Sequence, residues 1–338
     1  LIDKIIILYF YGDMRMNRKR TPRVDTLEAV ANVLRAYREL FEGNLIKALY
    51  YVDKALELEP DFYLALFLKG LALSAKGEIK EAITTFEELL SYESKNPITW
   101  VFVGQLYGMS GNCDEALKCY NKALGIENRF LSAFLLKTIC LEFLGEYDEL
   151  LKCYNEVLTY TPNFVPMWVK KAEILRKLGR YEDALLCLNR ALELKPHDKN
   201  ALYLKGVLLK RMGKFREALE CFKKLIDELN VKWIDAIRHA VSLMLALDDL
   251  KDAERYINIG LEIRKDDVAL WYFKGELYER LGKLDEALKC YEKVIELQPH
   301  YIKALLSKAR IYERQGNIEA AIEYYNKAVE NIHKDHGE

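Results

Sequence analysis

Apolar and polar residues alternate along this chain with a helical period that is itself repeated. In residues 165–198, Trp168, Leu175 and Leu178 fall on one helical face, Gly179 interrupts, and Ala184, Leu188, Ala191 and Leu192 resume the spacing. Gly179 suits the left-handed backbone that ends a helix. Glu182 and Asp183 complement the positive start of the next helix, and Pro196 stops it. The segment predicts two antiparallel helices of about four turns or less. The same frame recurs at Gly43, Gly77, Gly111, Gly145, Gly179, Gly213, Gly282 and Gly316, 34 residues apart at every step but one. Asp248 fills the missing slot, after one inserted residue. Five residues past each marker stands a small or aliphatic residue: Ala48, Ala82, Ala116, Leu150, Ala184, Ala218, Ala253, Ala287 and Ala321. A period of this size predicts a stacked array, not one globular core.

The marks within each period resemble the tetratricopeptide repeat family. Residues 97–130 carry Trp100, Gly104, Tyr107, Ala116, Tyr120 and Ala123; residues 268–301 carry Trp271, Gly275, Tyr278, Ala287, Tyr291 and Pro299. Residues 302–335 carry Ala309, Tyr312, Ala321, Tyr325 and Ala328. The resemblance implies an all-α, right-handed superhelical solenoid of about nine tandem two-helix repeats. The units fall near 29–62, 63–96, 97–130, 131–164, 165–198, 199–233, 234–267, 268–301 and 302–335, after an apolar and basic extension, 1–28. The first unit keeps Ala36, Ala48, Ala55 and Pro60 but places Asn32 and Arg35 at usually apolar slots.

Small residues let neighbouring helices approach while aromatics fill the gaps. Trp100, Trp168 and Trp271 are therefore expected in the core, whereas Trp233, beside the inserted residue, is expected to be more exposed. The seventh unit departs most: Val241 replaces a small residue, Asp248 the turn glycine and Lys265 the terminal proline, and Gly260 lies within its second helix. That unit is expected to be the least stable, with a bend in the superhelix there.

In the family the first helix of each unit lines a concave groove that binds peptides. The corresponding offsets here are Leu64, Phe67, Leu68 and Leu71, then Ile98, Val101, Phe102 and Gln105, then Leu135, Leu136 and Ile139. Later units turn charged, mainly basic: Lys170, Glu173 and Arg176, then Lys210 and Arg211, then Arg238 and His239, then Glu276, Lys303, Arg310 and Arg314. The expected role is a protein-interaction scaffold that takes an amphipathic or extended peptide, apolar toward the early units and acidic toward the late ones. Two specialised groove chemistries of the family are not matched. No three consecutive units supply the Lys, Asn and Arg set for C-terminal carboxylates, and Asn200 is the sole groove-offset asparagine.

Composition narrows the partners. Half the residues are hydrophobic and the formal net charge is −1, which suits a folded soluble chain and argues against a general nucleic-acid binder. The run Arg15, Arg18, Lys19, Arg20 and Arg23 is the one feature favouring RNA or an anionic surface. The segment Ile5–Tyr11 is too short to span a membrane, and its apolar character suggests that it covers the array or supports a homo-oligomer. Five cysteines, Cys119, Cys153, Cys187, Cys221 and Cys290, share one repeat offset, too far apart for a disulfide or a zinc site. They read as small buried hydrophobes in a reducing cytoplasm. No phosphate loop, nucleophile elbow or His-Glu-x-x-His pattern occurs, so no enzyme, cofactor, metal or catalytic residue is expected.

Overall fold

The turn glycines decide where the helices stop. Gly77 sits at φ 88°, in the left-handed region, directly after a helix whose last carbonyls accept the Gly77 and Glu78 amides. The other seven glycine markers have the same sign of φ. Asp248 takes this conformation too, at φ 61°, one of the few side chains that tolerates it.

The computed structural model describes residues 24–335, with side chains from 26 to 332. Its contacts group the chain into two compact bodies, divided between Pro162 and Asn163. The first contains α1 (Val24–Phe41), α2 (Leu45–Leu58), α3 (Tyr63–Lys76), α4 (Ile79–Tyr92), α5 (Pro97–Met109), α6 (Cys113–Ile126), α7 (Leu131–Leu144) and α8 (Tyr147–Tyr160). The second opens with α9 (Val165–Lys177), α10 (Tyr181–Leu194), α11 (Lys199–Arg211) and α12 (Phe215–Lys223). It continues with α13 (Ile234–Ala246), α14 (Leu250–Ile263), α15 (Val268–Arg280), α16 (Leu284–Leu297), α17 (Ile302–Arg314) and α18 (Ile318–Asp335). Among the described residues there is no strand. Odd-numbered helices are the first of each pair and even-numbered ones the second. α1 already includes Val24, ahead of the boundary expected at residue 29.

Four of the pairs, those of Gly70, Gly104, Gly206 and Gly275, are held by a glycine beneath a ring. A Cβ on Gly70 would lie 2.5 Å from Phe86, one on Gly104 2.6 Å from Tyr120, and one on Gly275 2.5 Å from Tyr291. Real Cβ atoms do not approach so closely, so these rings occupy the space a side chain would need. Tyr154 and Tyr325, at the same offset, stand opposite Thr138 and Ala309 instead. The seventh unit inverts the pairing: Val241 faces the slot of Ile257, and both are fully buried in one cluster. Gly260 there gives room to Leu270 of α15. The departures that suggested a weak seventh unit are thus complementary.

The irregular backbone lies one element earlier. After α12 the chain makes a π turn over Lys224–Glu228, closed by Leu229 N–H donating to the Lys224 carbonyl at 3.1 Å. Asn230 follows at φ 49°. A π turn holds one residue more than an α turn, which absorbs the single inserted residue without shifting the later register. Asp227, within this turn, accepts hydrogen bonds from the Tyr256 hydroxyl and from Arg255.

Trp233 is exposed, in line with its irregular position. Trp100 and Trp271 are half-buried instead of core residues. Their indole N–H groups tie down the preceding inter-repeat loops, donating to the Ser94 carbonyl at 2.9 Å and the Lys265 carbonyl at 2.8 Å. Trp168 is also half-buried.

Candidate binding face on the first helices

In the first body, helices α3, α5 and α7 carry the expected apolar contacts, but tight packing removes several of them from the surface. Leu64, Phe67, Leu68 and Val101 are 2%, 0%, 1% and 8% exposed. The Phe67 ring meets Phe86 and Phe102 edge-on, at 5.7 and 5.4 Å, and Phe86 stacks on Phe102 at 5.8 Å. This three-ring cluster turns an expected groove wall into core. The expectation of exposure is corrected for those four residues. Leu71, Ile98, Phe102, Leu135 and Leu136 are half-buried, and Gln105 is exposed.

What remains exposed lies further along the helices. Ile139 is 63% exposed, Phe143 76%, Met109 65% and Phe41 82%. Phe143, Met109 and Phe41 were not among the expected groove residues. They share one repeat offset with Ala75, and Phe143 follows Ile139 by one turn, so spacing alone could have found them. The same offset in the second body reads Lys177, Arg211, Ala246, Arg280 and Arg314, all exposed. This column is apolar in one body and basic in the other.

In the second body the charged residues divide into paired and unpaired groups. Arg238 is fully engaged. Its guanidinium donates to both oxygens of Asp267, at 3.1 and 2.5 Å, and to Asp235 at 2.9 Å. The Asp267 side chain is 0% exposed and also accepts from Leu270 N–H at 3.1 Å, so it caps α15. Arg238 thus clamps successive units, its guanidinium committed to two carboxylates. Lys170 lies 3.0 Å from Glu173, Arg314 3.2 Å from Glu279 and Arg280 2.9 Å from Glu276. Arg310 donates to Ser307 at 2.9 Å, and Arg211 lies over the Tyr181 ring at 5.3 Å. Lys303 is exposed on α17.

Lys210 and Arg176 differ. The Lys210 ammonium lies 3.1 Å from the Ser242 hydroxyl and 3.4 Å from His239 Nδ1, and among the described residues no carboxylate pairs with it. Burial holds its pKa below the usual lysine value. His239 stacks on Phe222 at 5.3 Å; burial and the neighbouring Lys210 both push its pKa down. Arg176 is half-buried, and its Nε is enclosed with no hydrogen-bond partner among the described residues. Among the described residues Lys210 is thus held by neutral partners and the Arg176 Nε by none, a setting that an anionic group would complement.

Among the described residues no His, Cys, Asp and Glu cluster could hold a metal ion. The five column cysteines are buried, and burial pushes the Cys119 and Cys290 thiols up to about 11. Cys113 and Cys140, isolated in the sequence, meet in hydrogen-bond contact, and burial pushes Cys140 up to about 12. An open cleft beside α4, α5 and α6 is spanned by its own pairs: Tyr107 donates to Glu87 at 3.0 Å, and Lys122 lies 4.1 Å over Trp100. Among the described residues no helix is long and apolar enough to cross a membrane. The apolar segment Ile5–Tyr11 and the basic run Arg15–Arg23 lie outside the described residues.

Comparison with known proteins agrees with this architecture. Profiles of the tetratricopeptide repeat match residues 33–97, 98–130, 200–228 and 266–332, and a TPR repeat profile matches 172–213. The TPR repeat-containing protein MJ0940 of Methanocaldococcus jannaschii is 56% identical over 264 residues, covering 78% of this chain and 83% of that protein. Similar solved structures include YrrB, a TPR protein with an unusual peptide-binding site, at TM-score 0.47 and 23% identity over 53% of this chain and 91% of that chain. Another is Pseudomonas aeruginosa pilF, at TM-score 0.49 and 18% identity over 64% of this chain and 97% of that chain. With its repeats matched by profile and 56% identity to a TPR protein, the chain belongs to the tetratricopeptide repeat family.

Proposed function

We propose that this protein is a non-catalytic interaction scaffold whose first-helix face binds an amphipathic or extended peptide of a partner protein. The observation that carries this reading is the exposure of Ile139, Phe143 and Met109 on neighbouring first helices of the first body. Large aliphatic and aromatic side chains held open on a rigid helical frame are what an apolar peptide face displaces water from. Half-buried Phe102, Leu135 and Leu136 supply the floor beneath them. In the second body, Lys210 and Arg176 favour an acidic or carboxylate-bearing segment, with charge setting register more than affinity. Seven unpaired cysteines suit a reducing compartment such as the cytoplasm.

The test is panning of a random peptide library against the full chain, followed by affinity measurement with two variants. Ile139→Glu with Phe143→Glu alters exposed positions only, so the fold should survive, and apolar peptides should lose about tenfold or more in affinity. Lys210→Gln should weaken acidic peptides and flatten their salt dependence. Selected peptides that bind all variants equally would sink the assignment of this face. Nuclease-sensitive capture of partners would shift the reading to RNA through the basic run.

A further inference from the structure

The final helix is unlike every other second helix in the array. α18 runs for 18 residues where α14 and α16 run for 14. Its inner face packs as expected, with Ala321 3% and Ala328 0% exposed. Its outer face carries Ile318, Ile322, Tyr325, Val329 and Ile332, spaced by four, three, four and three residues. That is the seam of a two-stranded coiled coil, sustained over two heptads. Ile318, Ile322, Val329 and Ile332 are 55%, 54%, 49% and 37% exposed, and Tyr325 is half-buried.

In interior units the offsets of Ile322 and Val329 are buried or half-buried. The counterparts of Ile322 include Leu151 and Leu219, at 8% and 7% exposed; those of Val329 include Leu90, Leu158 and Ile226, at 6%, 6% and 7%. The last helix therefore keeps the apolar code of an interior helix. The first helix does not. Interior first helices bury Leu106, Ile174, Leu208, Leu243, Leu277 and Ile311 at one shared offset, where α1 has Arg38, exposed and paired with Glu42 at 2.9 Å. Stacking α1 of one copy on α18 of another would bury that arginine.

We propose that α18 is a homodimer interface, in which the outer stripe of one copy packs antiparallel on the same stripe of a second copy. A two-fold pairing needs a self-complementary patch. Centred on Tyr325, the stripe places Ile318 against the second copy's Ile332 and Ile322 against its Val329. Glu323, paired with Lys327 in its own helix at 2.5 Å, then also faces the second copy's Lys327. The stripe is aliphatic along its centre and flanked by charged residues, the apolar core and polar rim of a small specific interface.

The experiment is sedimentation of the full chain across a concentration series, for wild type, for Ile322→Glu with Val329→Glu, and for Val329→Ser. Wild type should reach twice 39.4 kDa at micromolar concentrations. The double variant should stay monomeric with unchanged helical circular dichroism, and Val329→Ser should weaken the dimer about tenfold. A monomeric wild type at the highest concentration overturns the proposal, as does a dimer indifferent to both variants. So does a dimer abolished by deleting residues 1–13 but not by the α18 variants, which would assign the contact to the N-terminal segment.

Discussion

Where a glycine lies beneath a ring, the size of one side chain is a matter of pair geometry rather than of general tolerance. Gly104 and Gly125 separate the two effects. Both are helical, but a Cβ at Gly104 would collide with Tyr120, while one at Gly125 would meet open space. Gly104→Ala should destabilise the protein by about 1–3 kcal/mol through overpacking. Gly125→Ala should stabilise it by about 0.5–1 kcal/mol by removing backbone freedom from the unfolded chain. Urea denaturation of the two variants checks both signs, and equal effects would contradict the pairing. At this scale the sequence was partly legible. The glycine period announced the turns, and the small slots announced close packing. Arg238 was not legible as a clamp, because its partner Asp267 lies 29 residues away and only packing brings them together. Nor did the offsets show that Phe86 and Phe102 would close over Phe67.

Element by element, the second body shows how a repeat absorbs deviation. The inserted residue goes into the π turn after α12, and the Asp227 carried by that turn reaches forward to α14. The unit that follows pairs a larger Val241 with a smaller Ile257 and makes room for Leu270 with Gly260. Eleven of its residues on α13 and α14 lie in the core, from Ala236 to Gly260. Hydrogen exchange should therefore protect the central amides of α13 and α14 as well as those of α11 and α12. Faster exchange confined to α13 and α14 would restore the expectation of a weak seventh unit. Helix positions followed from periodicity alone, because stops and starts are local. Compensation between substitutions could not, because each substitution reads as a defect until its neighbour is placed.

For the whole molecule, the two bodies have separate apolar clusters. An array held by nearest-neighbour interfaces loses cooperativity as it lengthens. Trp100 lies in the first body, whereas Trp168, Trp233 and Trp271 lie in the second, so indole fluorescence weights the second body. Urea unfolding followed by fluorescence should not coincide with unfolding followed by far-ultraviolet circular dichroism. Superimposable curves would show that the bodies unfold as one. The change from apolar to basic groove offsets was readable from sequence. The exposed edge at Met109 and Phe143 was not assigned, because it lies one turn beyond the offsets usual for the family.

The contrast between the two outermost helices has a consequence for how such a chain can lengthen. A duplicated unit appended after α18 would meet a surface already written in the interior code. One inserted before α1 would meet Arg38 where interior helices offer an aliphatic side chain. Tandem duplication, in evolution or at the bench, is thus favoured in one direction and opposed by an arginine in the other.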